Sequence, residues 1–373
     1  MIGRRLLPGI GLLLVAALAA CSIGDVRRNP PDRSSASPRP APTATVPVPS
    51  RAVGFDEVRH VRVAVDRRYD RPFVEFVDAD HGYALFVAAC DDPPSGRGCP
   101  GALLYATADG GRTWRALPHP RPLAAGQQLY AVPGALVLLA EPYGWYISTD
   151  GGATFVHSAG AEPAALVAAR GRFQVVERLG AVGEWDGATL RPLPAQPAVP
   201  GLNTVGHSGD LVVAAGARDG RPYAALSRDA GRHWESTPLS WRGDEVGVLR
   251  VVIAPDGGVW LVGERPDRTG FPPLWRLVAG LEWALVRAVG HPAQARSVAP
   301  LGAELVAVTS PDGVGVVAGG RYYRVDWPLN GEHYLTVLAD GTIAARGPDD
   351  LVLGTGWTAN RRWVRVVLDR QAE

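Results

Sequence analysis

The chain contains no lysine; all 38 of its basic residues are arginine. That excludes a mechanism built on a lysine Schiff base or on the lysine of a phosphate-binding loop. Methionine is nearly missing too, with Met1 the only one. A GC-rich coding sequence, which avoids lysine codons, explains the bias without a functional cause. An excess of charge of either sign is also lacking. Setting aside Arg4 and Arg5 of the N-terminal leader leaves 36 arginines against 37 acidic residues. There is therefore no net-charge argument for a nucleic-acid partner. Helical periodicity is weak throughout. Apolar residues come instead in short runs bounded by Gly, Pro and Asp: YALFVAAC, ALVLLAE, DLVVAAG, GVWLVGE, AELVAVTS and HYLTVL. Runs of this length read as strands, and 45 glycines and 33 prolines supply the turns between them. The expected fold class is all-β.

The first twenty residues join a short positive start, Arg4-Arg5, to an apolar run from Ile10 to Ala20. Small residues before a cut site make this a secretory signal, and the run is too short for a comfortable membrane span. Leu18-Ala19-Ala20-Cys21 resembles the lipobox of bacterial lipoproteins. The resemblance implies that Cys21 is acylated and becomes the new N-terminus. The mature protein would then be held at the extracytoplasmic side of the cell membrane by lipid chains, each buried methylene contributing about 0.8 kcal/mol. Residues 21–52 follow as a Pro-, Ser- and Arg-rich stretch with too little apolar content to fold. They read as a tether, extended at about 3.1 Å per residue, and leave residues 53–373 as the folded domain. Export implies an oxidising compartment, where paired cysteines bridge. Cys90 and Cys99, around DDPPSGRG, are expected to form a disulfide that pins one loop. A metal pair is the rival reading, but no His stands at ligand spacing.

One short pattern recurs. Residues 107–114 read TADGGRTW, 148–155 read STDGGATF and 227–234 read SRDAGRHW; EWDGATL holds a shortened copy. Asp109, Asp150, Asp186 and Asp229 are spaced by 41, 36 and 43 residues. Weaker copies fall at VAGLEW (278–283), AGGRYYRV (318–325) and TANRRWV (358–364). About four short strands fit each interval, which is the period of a β-propeller blade. The Asp can close an Asx-turn on backbone N–H groups two residues on. Gly111, Gly152 and Gly231 can take the positive φ of a tight turn. Trp114, Phe155 and Trp234 begin the outer strand and can pack beneath it.

These motifs resemble the Asp-box, or BNR, repeat, Ser-x-Asp-x-Gly-x-Thr-Trp. The resemblance spans most of residues 72–369 and implies a structural turn between the third and fourth strands of each blade, so the Asp residues are poor candidates for catalysis. Seven blades of four strands are expected, at about 72–121, 128–160, 164–195, 202–240, 247–290, 295–329 and 333–369. The weak copies leave six or eight open. Residues 53–66 add a strand expected to pair with the last blade, which would remove open sheet edges.

If the Asp turns mark one face, the loops between strands two and three lie on the other, and they carry charge repeatedly. A face lined by loops from several blades is a natural binding site. Arg218, Arg221, Arg265 and Arg268 form an arginine-rich sector suited to a carboxylate or an acidic protein surface, with Tyr143 and Trp145 as aromatic contacts. Asp78, Asp80 and His81 in DADHG resemble a metal cluster but fit a hairpin turn better, and no cofactor is implied.

Two function classes follow from resemblance. Asp-box propellers include the sialidases, which hold a sugar carboxylate with three Arg and cut with a Tyr nucleophile, a partner Glu and an Asp acid. That family's early Tyr/Phe-Arg-Ile-Pro motif has only Tyr69-Asp70-Arg71-Pro72 as its nearest match here, with an inserted Asp and no Ile. FVEFVDADHGYALF followed by LLYATADGGRTWRAL is similar instead to the branch holding photosystem assembly factors and many exported bacterial propellers. Phe76-Val77-Asp78, His81-Gly82-Tyr83 and the box at 107–114 follow that branch's order. This implies a scaffold that holds an envelope or secreted protein without turnover, and nothing here points to photosynthesis itself. The expectation is a lipid-anchored binding propeller, with a sialidase-like hydrolase as the alternative.

Overall fold

The structure is a computed structural model describing residues 54–66, 68–88, 101–120, 126–243, 245–265, 270–279, 281–302, 304–357 and 359–370. Cys21, Cys90, Cys99 and Arg268 lie outside the described residues. Seven sheets follow one another along the chain. Blade 1 runs from Phe73–Phe76 to Arg115–Leu117, blade 2 from Gly126–Val132 to Val156–Ser158, and blade 3 from Phe173–Val176 to Leu190–Pro192. Blade 4 runs from Leu202–Ser208 to Glu235–Pro238, and blade 5 from Val248–Ile253 to Trp283–Leu285. Blade 6 runs from Ser297–Gly302 to Arg321–Arg324, and blade 7 from Tyr334–Val337 to Arg362–Arg370. Within each blade the strands pair antiparallel in sequence order. The protein is a seven-bladed β-propeller.

Blade 3 departs from four strands. Its sheet has three, and in sequence the helix Ala164–Ala169 stands where the other blades have their first strand. The run AALVAA is short and apolar like its strand neighbours, but four of its six residues are alanine, which has the highest helix propensity. Leu166 buries one face of it against Val132, Ala135 and Val137 of blade 2.

The repeated Asp turns all join a third strand to a fourth. Asp109 Oδ1 accepts from the Thr107 hydroxyl at 2.8 Å and from the Arg112 and Thr113 N–H groups at 2.9 Å, while the Thr113 hydroxyl donates to Oδ2 at 2.7 Å. Asp150 repeats this with Ser148 and Thr154, and Asp229 with Ser227 and His233. The bonded N–H groups stand three and four residues on, where the sequence pattern predicts two. Only Asp186 takes the N–H two residues on, from Ala188. The degenerate copies near 278–283, 318–325 and 358–364 also fall between third and fourth strands.

The turn glycine is an inter-blade joint. At Gly152 φ is +88°, and a Cβ there would stand 2.4 Å from Leu117 Cδ1, on the fourth strand of the preceding blade. Gly111 approaches Val366 of blade 7 and Gly231 approaches Leu193 in the same way. Nearer the axis, neighbouring inner strands share no backbone ladder, so side chains bridge them. Glu75 accepts from Ala131 N at 2.8 Å, Asn203 donates to Leu249 O at 2.6 Å, and the Ser297 hydroxyl accepts from Leu335 N at 3.0 Å.

Closure comes from the N-terminal strand Glu57–Val63, which pairs parallel with Arg362–Arg370 on the outer edge of blade 7. Glu57 accepts from Arg59, from Arg112 of blade 1 and from Arg362 of blade 7. The Arg59 and Arg112 guanidinium groups, Arg59 foremost, outweigh desolvation and hold its carboxyl down at about 2. Arg59 also donates to the Gly110 carbonyl at 2.7 Å, so one carboxylate and one arginine join the first and last blades.

The Asp turns make stability acid-sensitive. Burial disfavours charge on Asp109, but bonds from Thr113, Thr107 and Arg112 outweigh it and bring its carboxyl to about 2. Asp150 is held low foremost by the Thr154 hydroxyl, and Asp229 foremost by the His233 ring. Lowered folded values stabilise above the unfolded carboxyl pKa of about 3.9 and lose that contribution as pH falls through the folded values. Melting temperature is therefore expected to be flat between about pH 7 and 5 and to drop steeply below about 4. An unchanged melting temperature down to about pH 2 would contradict this account of the turns.

Candidate binding site

In an antiparallel meander, successive connections alternate between the two ends of the sheet. The strand-one-to-two loops therefore share a face with the Asp turns, and the strand-two-to-three loops share the other with the blade-to-blade connections. Contacts agree: Gly110 N donates to Asp80 O on the first face, and Leu239 N to Pro222 O and Val246 N to Gly220 O on the second.

On the second face, the hairpin of Leu211–Arg218 and Arg221–Ser227 turns through two residues, Asp219 and Gly220, both at positive φ. That is the geometry of a tight hairpin. It sets Arg218 directly opposite Arg221. Like charges facing each other across a hairpin are destabilising. Both side chains are exposed, and among the described residues neither has a hydrogen-bond or ion-pair partner. Beside them opens a cavity of about 480 Å³ lined by Arg221, Tyr223, Leu239, Trp241 and Glu245, with Asp219 at its edge. Trp241 is braced edge-on against the buried Trp275 at 5.9 Å. Arg242, next to Trp241, is exposed. The cavity thus offers an aromatic wall, the Arg221 guanidinium and the Asp219 carboxylate on the hairpin side, and the Glu245 carboxylate on the blade connection, with Arg218 opposite Arg221 on the same hairpin.

The other predicted residues stand apart from this cavity. Arg265 is half-buried and folds back over Gly270. Tyr143 is exposed in the second-to-third turn of blade 2, where its carbonyl faces the His157 ring at 2.7 Å. Trp145 is half-buried against Tyr130, with ring centroids 6.0 Å apart, and so serves packing. Trp241 and Tyr223 were not singled out in the sequence; the signal was the Trp241-Arg242 pair in a blade connection, a class of loop that shares this face.

A second cavity, of about 520 Å³, lies on the Asp-turn face between blades 7, 1 and 2. Tyr83, Val132, Pro133 and Leu136 line it, with Asp78 and Asp340 at its rim. Burial disfavours charge on Asp78, yet the His81 and Asp80 N–H groups and the His81 ring outweigh it and keep the carboxyl below its ordinary value. Asp340 accepts from Ala79 N at 2.9 Å, tying blade 7 to blade 1. The Asp78–His81 segment is a hairpin turn closed on Asp78. No group of three or more metal-ligating side chains occurs among the described residues.

The sialidase-like motif fragment is engaged within the fold. Tyr69 is buried, and Arg71 pairs with Asp349 of blade 7.

No family profile matches the chain, and no curated protein matches it in sequence. Solved structures of similar backbone include YCF48 bound to D1 peptide, at 15% identity over 84% of this chain and 100% of that one, with a TM-score of 0.42. YCF48 from Cyanidioschyzon merolae is 14% identical over 79% of this chain and 94% of its own, at 0.43. An α-L-arabinofuranosidase from Fusarium graminearum is 14% identical over 85% and 98%, at 0.33. Such likeness carries no activity across.

Proposed function

We propose that this chain is an exported, lipid-anchored propeller that captures an acidic protein partner at the Arg218–Arg221 hairpin and does not turn it over. The observation that carries the reading is the like-charge pair. Two exposed guanidinium groups face each other at the lip of an aromatic-walled cavity, and an anion bridging them would turn a repulsion into two charge-assisted contacts. The lipobox-like Leu18-Ala19-Ala20-Cys21 supports anchoring through Cys21, and a Cys90–Cys99 bridge would fix the second-to-third loop of blade 1 on the same face.

The orientation of the chain supports the same reading. The N-terminal strand runs parallel to the last strand of blade 7 and begins beside the Asp turn of blade 1. A tether leaving from there leaves the arginine-bearing face unencumbered.

Turnover of a fluorogenic sialoside by the leaderless chain separates capture from glycoside hydrolysis. No turnover is expected from the folded protein. Saturable turnover that falls in an Arg218→Ala/Arg221→Ala variant would replace the reading with an enzyme.

A further inference from the structure

We infer that the cavity on the Asp-turn face seats the proline- and arginine-bearing stretch of the same chain just upstream of the propeller, residues 38–53. The inference extends the anchoring proposed above but does not depend on the arginine hairpin.

Three observations carry it. The first is chemical. The cavity is mostly apolar, with Tyr83, Val132, Pro133 and Leu136 in its wall and the Asp78 and Asp340 carboxylates at its rim. Proline-rich segments dock into aromatic- and apolar-lined grooves because their extended form is already set and little entropy is lost. The stretch PRPAPTATVPVPSRAV carries five prolines, no acid and two arginines, Arg39 and Arg51. Over residues 22–53 five arginines face two aspartates, so charge is complementary to the rim.

The second observation is where the chain emerges. Glu57 binds Arg112 of the blade 1 turn, Arg59 donates to Gly110 O, and Gly110 N donates to Asp80 O. The first strand is therefore joined, through the blade 1 Asp turn, to the Asp78–His81 loop that walls the cavity, and residue 54 leaves on the cavity's own face.

The third is reach. Sixteen residues at about 3.1 Å each span roughly 50 Å, and they start on the face where the cavity opens. Because the segment is covalently attached, its effective concentration is on the order of millimolar, and a weak intrinsic affinity suffices. Docking would shorten the span to Cys21 and hold the Asp-turn face toward the anchor.

A benzophenone cross-linker incorporated at Thr45 of the leaderless full chain tests this. Irradiation should give intramolecular adducts in residues 77–83 or 132–136, mapped by mass spectrometry. Pro47→Gly/Pro49→Gly, which leaves the propeller untouched, should reduce their yield at least about fivefold, the scale expected when docking is weak and rests on a preset extended form. Adducts elsewhere on the propeller, adducts only between two chains, or none would overturn the inference. None of these outcomes bears on capture at the arginine hairpin, so the two proposals fail separately.

Discussion

Gly152→Ala is expected to destabilise the propeller by about 2–5 kcal/mol, from about 1–2 for a side chain at positive φ and 1–3 for overpacking. The methyl group would stand 2.4 Å from Leu117 Cδ1 and 3.3 Å from Leu136 Cδ2, inside the packed seam between blades 1 and 2. Both leucines are buried, so neither can swing into solvent. Gly134→Ala is the matched control. Gly134 also has positive φ, at +77°, but nothing lies within 4 Å of its added Cβ. It should cost only the backbone share, about 1–2 kcal/mol. Thermal unfolding of the two variants beside the parent checks this, with a fall of roughly 3–8 °C for Gly152→Ala. Equal losses in both would show that the turn glycine is needed for its backbone alone and that the turn is no inter-blade joint.

Arg218→Glu/Arg221→Glu is expected to reduce partner capture by at least about a hundredfold while leaving the melting temperature within about 2 °C of the parent. A hydrogen bond to a charged group contributes about 1.5–3 kcal/mol, and reversal adds repulsion of an acidic partner. The fold should be unaffected because the two guanidinium groups face each other at an exposed hairpin end and bond to no described residue. Capture of partner from an envelope extract, quantified against the parent at matched salt, provides the measurement. Undiminished capture would remove the hairpin from the interface. Higher salt should weaken parental capture and leave the residual capture of the variant nearly unchanged.

The fold was legible because its signal repeats. Asp109, Asp150 and Asp229 mark the same joint in three blades, and one spacing then dates the others, including copies that keep only a glycine or an aromatic. The N-terminal strand was legible for a related reason: residues 53–66 form a strand with no blade of their own. The helix Ala164–Ala169 was not legible. A six-residue apolar run has no periodicity that separates helix from strand, and what decides it is the buried place of Leu166 against blade 2.

The candidate site was partly legible. The alternation of loops along the repeat placed Arg218 and Arg221 on the face opposite the Asp turns, as the structure has them, and hairpin register sets them opposite each other. The same reasoning grouped Trp145 with them, yet its ring turns toward Tyr130, because alternate residues of a strand point to opposite sides and only the neighbouring blade reveals which side is packed. Trp241 and the cavity of the Asp-turn face both depend on connections between elements far apart in sequence, where composition says little.

The partner is expected on the face opposite the Asp turns. The most direct measurement places a photo-reactive residue at Asp219, on the arginine hairpin, or at Ala153, on the Asp turn of blade 2, in cells expressing the full chain. A covalent adduct with a second protein from Asp219 and none from Ala153 is the predicted result. An adduct from Ala153 alone, or from neither position, would contradict the account.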